Sequence, residues 1–204
     1  LSWLRGNQAG LYDPTTGQLD PNMNSTFDLK SLVPNQTGDL PNDHRHSIKV
    51  FAAKDFTVTR QSTAQVGTSV TARSGAPTNV LGSHPLYGLD FIYILPRGGG
   101  ERLPWSGNVG THLGYDVHFD NGMSLGLTMD IFNLLNLQAP QSLDQRYTTQ
   151  DVLPIINGTK SDLPANVKTP TGVPFQPSSV NPNFGNPNYY QEPRQFRFGI
   201  RGSF

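Results

Sequence analysis

The sequence predicts an all-β chain: an antiparallel, up-and-down transmembrane β-barrel fragment of about six strands, with short turns at one end and three long loops at the other. Three observations carry this reading. Several stretches of about ten residues alternate between apolar and polar positions, as lipid-facing strands do. Long and short connections follow one another in strict turn. The chain holds 21 glycines and 17 prolines among 204 residues, above the roughly 12% usual for the pair, which favours turns over helices.

The last stretch alternates most cleanly. Phe196, Phe198, Ile200, Gly202 and Phe204 share one parity, and Arg197, Gly199, Arg201 and Ser203 share the other. Period two places these sets on opposite faces of a strand. Residues 1–7 read as a strand tail, and residues 44–56 as a second strand. In residues 62–74, Ala64, Val66, Thr68, Val70 and Ala72 alternate with Gln65, Gly67, Ser69, Thr71 and Arg73. Residues 108–119 put Val109, Thr111, Leu113, Tyr115, Val117 and Phe119 on one face and Asn108, Gly110, His112, Gly114, Asp116 and His118 on the other. The Asn121-Gly122 pair then favours a hairpin into residues 124–136. Over 123–135 a helix competes, but the period-two split favours the strand.

The loops span residues 8–43, 75–104 and 137–192, dense in Gly, Pro, Asn and Asp. Loops of this length are uncommon in a compact soluble domain and ordinary on the outer side of a barrel. The run Phe91-Ile92-Tyr93-Ile94-Leu95 is far shorter than the roughly 20 residues of a membrane helix. The opening Leu1-Ser2-Trp3-Leu4-Arg5 reads as a strand already under way, so the expected N-terminus is a cut within a longer protein.

Composition excludes several functions. Fifteen basic and fifteen acidic residues balance, which argues against nucleic acid as a partner. The absence of cysteine removes disulfides, thiol catalysis and cysteine zinc sites. Only two glutamates occur, Glu101 and Glu192, and no Gly-x-Ser-x-Gly elbow appears, so the reading is not an enzyme and implies no cofactor. Gly98-Gly99-Gly100 lacks the following Lys-Ser/Thr of a phosphate cradle and reads as a surface turn. His44 and His46 share a strand face, but a third metal ligand is missing. Asp13, Asp20 and Asp28 do not have calcium-loop spacing. Three Asn-x-Ser/Thr patterns, at Asn24, Asn35 and Asn157, match the glycosylation acceptor and are discounted for a chain read as an outer-membrane barrel. Trp3, Phe56, Tyr115, Phe119 and Phe204 suit an interfacial aromatic girdle or an ordinary core equally.

With the strands placed, several motifs resemble one family. Asp130-Ile131-Phe132-Asn133-Leu134-Leu135-Asn136 is similar to the Val-x-Asn-Leu-Phe-Asn strand end of TonB-dependent outer-membrane receptors. Leu40-Pro41-Asn42-Asp43-His44-Arg45-His46, Arg73-Ser74-Gly75-Ala76-Pro77 and Pro193-Arg194-Gln195-Phe196-Arg197-Phe198-Gly199 fit in order, and the Oar-like branch fits best. The resemblance spans essentially the whole chain and implies that residues 1–204 are the C-terminal segment of a receptor barrel. It implies a bacterial outer-membrane location and uptake of a scarce ligand: a siderophore, metal chelate, oligosaccharide or peptide. The implied partners are outer-membrane lipid, the barrel-assembly machinery, an unknown extracellular ligand, and the TonB complex through a missing N-terminal part. Phe196, Phe198, Ile200 and Phe204 would form the barrel-assembly signal; His112, Asp116, His118, Arg197 and Arg201 would line the lumen. A family barrel has about 22 strands, so six cannot close one, and the plug domain and TonB box are absent. The competing reading is a soluble all-β binding or adhesion module with long recognition loops. A sandwich would bury the apolar face between sheets, whereas a barrel turns it outward. Open edges and an exposed apolar face would make the fragment aggregate in water.

Overall fold

The computed structural model describes residues 3–7 and 28–204. Asp13, Asp20 and the Asn24-Ser25-Thr26 pattern lie outside the described residues. Among the described residues there are twelve strands: β1 (Arg5–Asn7), β2 (Thr37–Asp39), β3 (Ser47–Thr59), β4 (Ser62–Arg73), β5 (Leu81–His84), β6 (Gly88–Tyr93), β7 (Ser106–His118), β8 (Ser124–Phe132), β9 (Pro140–Leu143), β10 (Arg146–Asp151), β11 (Pro187–Tyr190) and β12 (Gln195–Ser203). Among the described residues there is no α-helix, only short 3-10 turns. No helix among them is long and apolar enough to cross a membrane.

The chain divides into two compact units. One is a five-stranded antiparallel sheet in the order β12-β8-β7-β4-β3, so neighbours in sequence are neighbours in space. Thr59 pairs with Ser62, leaving the two-residue turn Arg60-Gln61, while Asn121-Gly122 turns β7 into β8 with Gly122 at φ 86°. Pairings Ser47↔Arg73 and Gln195↔Phe132 put every long connection of this sheet at the opposite end from these two turns. The long and short connections therefore segregate as expected. The sheet is open, with β3 and β12 as edges.

β8 stops four residues earlier than its apolar pattern, because Asn133 takes a left-handed φ of 50° that ends a strand. Its side chain is buried and fully used. Nδ2 donates to Leu137 O at 2.9 Å and to Glu192 O at 2.8 Å, and Oδ1 accepts from Leu137 N at 3.0 Å. Asn136, at φ 52°, accepts from Arg194 N at 3.0 Å. The two asparagines of the strand-end motif thus fasten both ends of the last long connection.

The other unit gathers the chain from Leu1–Arg45, Ser74–Pro104 and Pro140–Tyr189. Here the expectation of plain loops is corrected. Leu32, Val80, Ile92, Ile94, Leu95, Tyr147, Val152, Val167 and Phe175 form a buried core. The run 91–95 supplies its centre, since each contributing segment is too short and irregular to bury apolar area by itself. The sheets are antiparallel as expected save for one pairing: β10 lies parallel to β5, and the two come from different long connections. The six-strand count falls to five in the main sheet, as β1 pairs instead with β2 in this unit.

Salt bridges fasten the core unit. Asp43 is 1% exposed and lies 2.5 Å from Arg102 Nη2, which also reaches Asp39 at 2.8 Å; Arg45 reaches Asp39 at 2.9 Å. Leu4 N donates to Asp43 Oδ1 at 2.8 Å, tying in a residue 39 positions earlier in the same segment.

Candidate functional site

Backbone register sorts the side chains of the five-stranded sheet into two faces. One row across it reads Phe56, Ala64, Tyr115, Leu127, Ile200, and the next of the same parity reads Lys54, Val66, Leu113, Met129, Phe198. This face is mainly apolar, interrupted by Thr68 and Thr111 in the row beyond and by Lys54, whose Nζ sits 5.6 Å from the Phe56 ring centroid. It is also open: Val50 is 53% exposed, Phe198 74% and Ile200 79%.

The other face is polar and built from the same rows one residue out of phase. Gly67, His112, Asp130 and Arg197 stand side by side on four strands. Asp130 accepts from Arg197 Nε at 2.9 Å through one oxygen and meets His112 Nδ1 at 2.6 Å through the other. Two rows nearer the turns, Asp116 and Arg201 face each other across Gly126 at 3.2 Å, and Gln65 Nε2 donates to Asp116 at 3.3 Å. A side chain at Gly126 would place its Cβ 2.4 Å from Asp116 Oδ1, so the glycine is what lets a pair form two strands apart. Gly199 beside Thr128 and Gly110 beside Ser69 leave similar space. An open trough of about 680 Å³ runs along this surface past Gly67, Gly110, His112 and Asp130. With Arg197 and Arg201 well exposed, each pair contributes only about 0–1 kcal/mol to stability. Their effect is chemical: the surface is hydrophilic, hydrogen-bonding and balanced in sign.

The structure thus joins His112 to Arg197 and Asp116 to Arg201, and leaves His118 apart at the turn end, opposite Ser124. Asp130, which links the first pair, was not singled out by the sequence reading. Its parity with Gly126 and Thr128 on β8 was the available signal. Phe196, Phe198 and Ile200 all lie on the apolar face, and Phe204 beyond β12 is fully exposed. Phe56 and Tyr115 flank Ala64 in one row near the turns. Trp3 belongs to the core unit, not to this sheet.

His46 stacks on Trp105 with ring centroids 5.8 Å apart, and His44 Nδ1 lies 2.6 Å from Ser74 O. Among the described residues no group of three His, Asp or Glu side chains is placed to hold a metal ion.

Against known proteins, the chain aligns over its whole length, 212 aligned positions at 45% identity, with the TonB-dependent transporter Oar of Myxococcus xanthus. This chain is homologous to part of a TonB-dependent transporter. It spans 20% of that relative's length, in its C-terminal region. No family model and no solved structure matches the chain.

Proposed function

We propose that the chain is the C-terminal barrel segment of an outer-membrane TonB-dependent transporter and that the parent protein takes up a scarce ligand. The observation that carries this is the two-faced sheet: one face mainly apolar and exposed, the other a polar ladder of His112, Asp130, Arg197, Asp116 and Arg201. In this reading the apolar face meets lipid and the ladder lines the lumen. The edges β3 and β12 pair with the remaining strands of a larger, closed barrel. Phe196, Phe198, Ile200 and Phe204 present the strand pattern that the assembly machinery would recognise. TonB would act through parts of the protein beyond this segment, and the connections on the long-loop side would meet the ligand outside the cell.

A soluble binding module would need its apolar face covered, and the exposure of Val50, Phe198 and Ile200 counts against that. The test is detergent dependence. Residues 1–204 refolded in micelles are expected to show β-type circular dichroism as a discrete sedimenting species, and to aggregate without detergent. A soluble, monomeric β-protein in plain buffer would overturn the reading.

A further inference from the structure

The polar face of the five-stranded sheet carries two residues that its chemistry does not call for. Phe51 on β3 pairs with Ser69, and Ser69 pairs with Gly110. Thr111 pairs with Ile131, so Gly110 stands opposite Phe132 at the next step, and all four residues share one row of that face. Phe51 is 71% exposed and Phe132 40%. Register sets the direction of Phe51, so pairing of β3 with a further strand leaves it on this face. Arg197 lies against Phe132, its guanidinium carbon 5.2 Å from the ring centroid. Exposed phenyl rings among hydroxyl, amide and charged groups mark a binding surface rather than a solvated wall.

The ground between the rings is low. A side chain at Gly110 would bring its Cβ within 2.7 Å of Ser69 Oγ, and Ala53 and Gly67 begin the next row. These residues form the floor of the trough of about 680 Å³. Three strand spacings put the two phenylalanines roughly 14 Å apart. Aromatic rings pair at about 4.5–7 Å, so the two cannot sandwich one ring and instead serve opposite ends of an extended ligand. Between and beside them the lining holds Ser69, Thr71, Asn108 and His112. A wholly apolar ligand would strip these groups of water and offer no hydrogen bonds in return. An ionic ligand would find His112 and Asp130, the ionisable groups of the lining, already engaged with each other, and Asp130 with Arg197 as well. A ring with an apolar face and a hydroxyl rim meets both demands. We propose that the trough binds a short, neutral oligosaccharide, with ring faces on Phe51 and Phe132 and hydroxyls over Ser69, Thr71 and Asn108. The proposal rests on the import reading, which turns this face to the lumen, and it narrows the ligand of that reading to one chemical class.

The test is calorimetry on the full-length parent protein purified in detergent, with the membrane fraction that yields it recorded. The probes are maltotriose, cellotriose and N,N′,N″-triacetylchitotriose, with trigalacturonate and the glucosamine trimer as charged counterparts. At least one neutral trisaccharide is expected to bind. Substitution at so exposed a position spares the fold. Phe51→Ala and Phe51→Leu should each weaken binding about threefold to tenfold, and Phe51→Trp should retain it. Val50→Ala, next along β3 but on the opposite face, should leave it unchanged. Absence of binding by all three neutral sugars would overturn the proposal. So would tighter binding of a charged trimer, or binding that Phe51→Ala and Phe51→Leu leave unchanged. A parent protein found outside the outer-membrane fraction would count against the import reading alone, since sugar binding that tracks Phe51 would still stand.

Discussion

Asp43 shows how one buried carboxylate can govern a whole unit. Burial by itself pushes its pKa up. The Leu4 amide and the guanidinium groups of Arg102 and Arg45 pull harder the other way, and the carboxyl ends below its ordinary 3.8. A group more acidic in the folded than in the unfolded chain binds fewer protons when folded. Its contribution is therefore complete above pH 3.8 and drains away as the pH falls through that value toward the folded pKa. The core unit is expected to loosen in that acid window, seen as loss of near-ultraviolet tyrosine ellipticity from the Tyr147, Phe175 and Phe184 cluster. Asp43→Asn should reduce that pH dependence and lower stability by about 1.5–3 kcal/mol at neutral pH, because Arg102 and Arg45 keep their charge and lose their buried acceptor. An unchanged acid transition in the variant would show that Asp43 does not set it. None of this was legible from sequence. Asp43 appeared there only as the residue beside two histidines, and its partner Arg102 lies 59 positions away.

At the scale of elements, what could be read from the sequence and what could not divide along the two units. The strands of the main sheet were legible because period two survives wherever one face is apolar and the other polar. The bounds slipped where the punctuation was weak. β3 runs three residues further than expected, since Arg60-Gln61 is a tight turn without glycine or proline. β8 stops early because Asn133 leaves the extended region while the apolar sequence continues. That position carries a graded prediction. Asn133→Gly keeps the left-handed backbone and loses three hydrogen bonds. Asn133→Ala loses the same bonds and adds strain of about 1–2 kcal/mol. Denaturant unfolding in micelles should rank parent, glycine variant, alanine variant, in falling order of stability. If the glycine variant matched the parent, the side-chain bonds would carry no weight and backbone conformation alone would explain the motif. The core unit was illegible for a different reason. Its apolar residues are scattered over three segments with no period, and only long-range contacts reveal that Leu32, Ile94 and Phe175 share one interior. The candidate site sits between these cases: parity placed His112, Asp116, Arg197 and Arg201 on one face, but pairing them required the inter-strand register that brings Asp130 and Gly126 between them.

Across the molecule, two kinds of physics act on one chain. The core unit hides its apolar side chains among themselves, while the sheet unit presents its own on an exposed face. Adjacent residues at the centre of that sheet can tell lipid from water. Leu127 lies on the apolar face of β8, 47% exposed, between Tyr115 and Ile200. Thr128 lies on the polar face between Gly114 and Gly199, neither of which has a side chain to obstruct a longer neighbour. If the apolar face meets lipid, Leu127→Arg should cost about 2–4 kcal/mol when the protein is unfolded from bilayers, the penalty for a cation deep on a lipid-facing strand. Thr128→Arg, facing water beside Asp116 and Asp130, should cost under about 0.5 kcal/mol, as surface changes usually do. In water the order would differ: an arginine at an already exposed leucine would cost little and would reduce aggregation. Equal, small effects at the two positions would therefore place the sheet in water and remove the membrane from the account, whereas a large penalty confined to residue 127 requires hydrocarbon against that face.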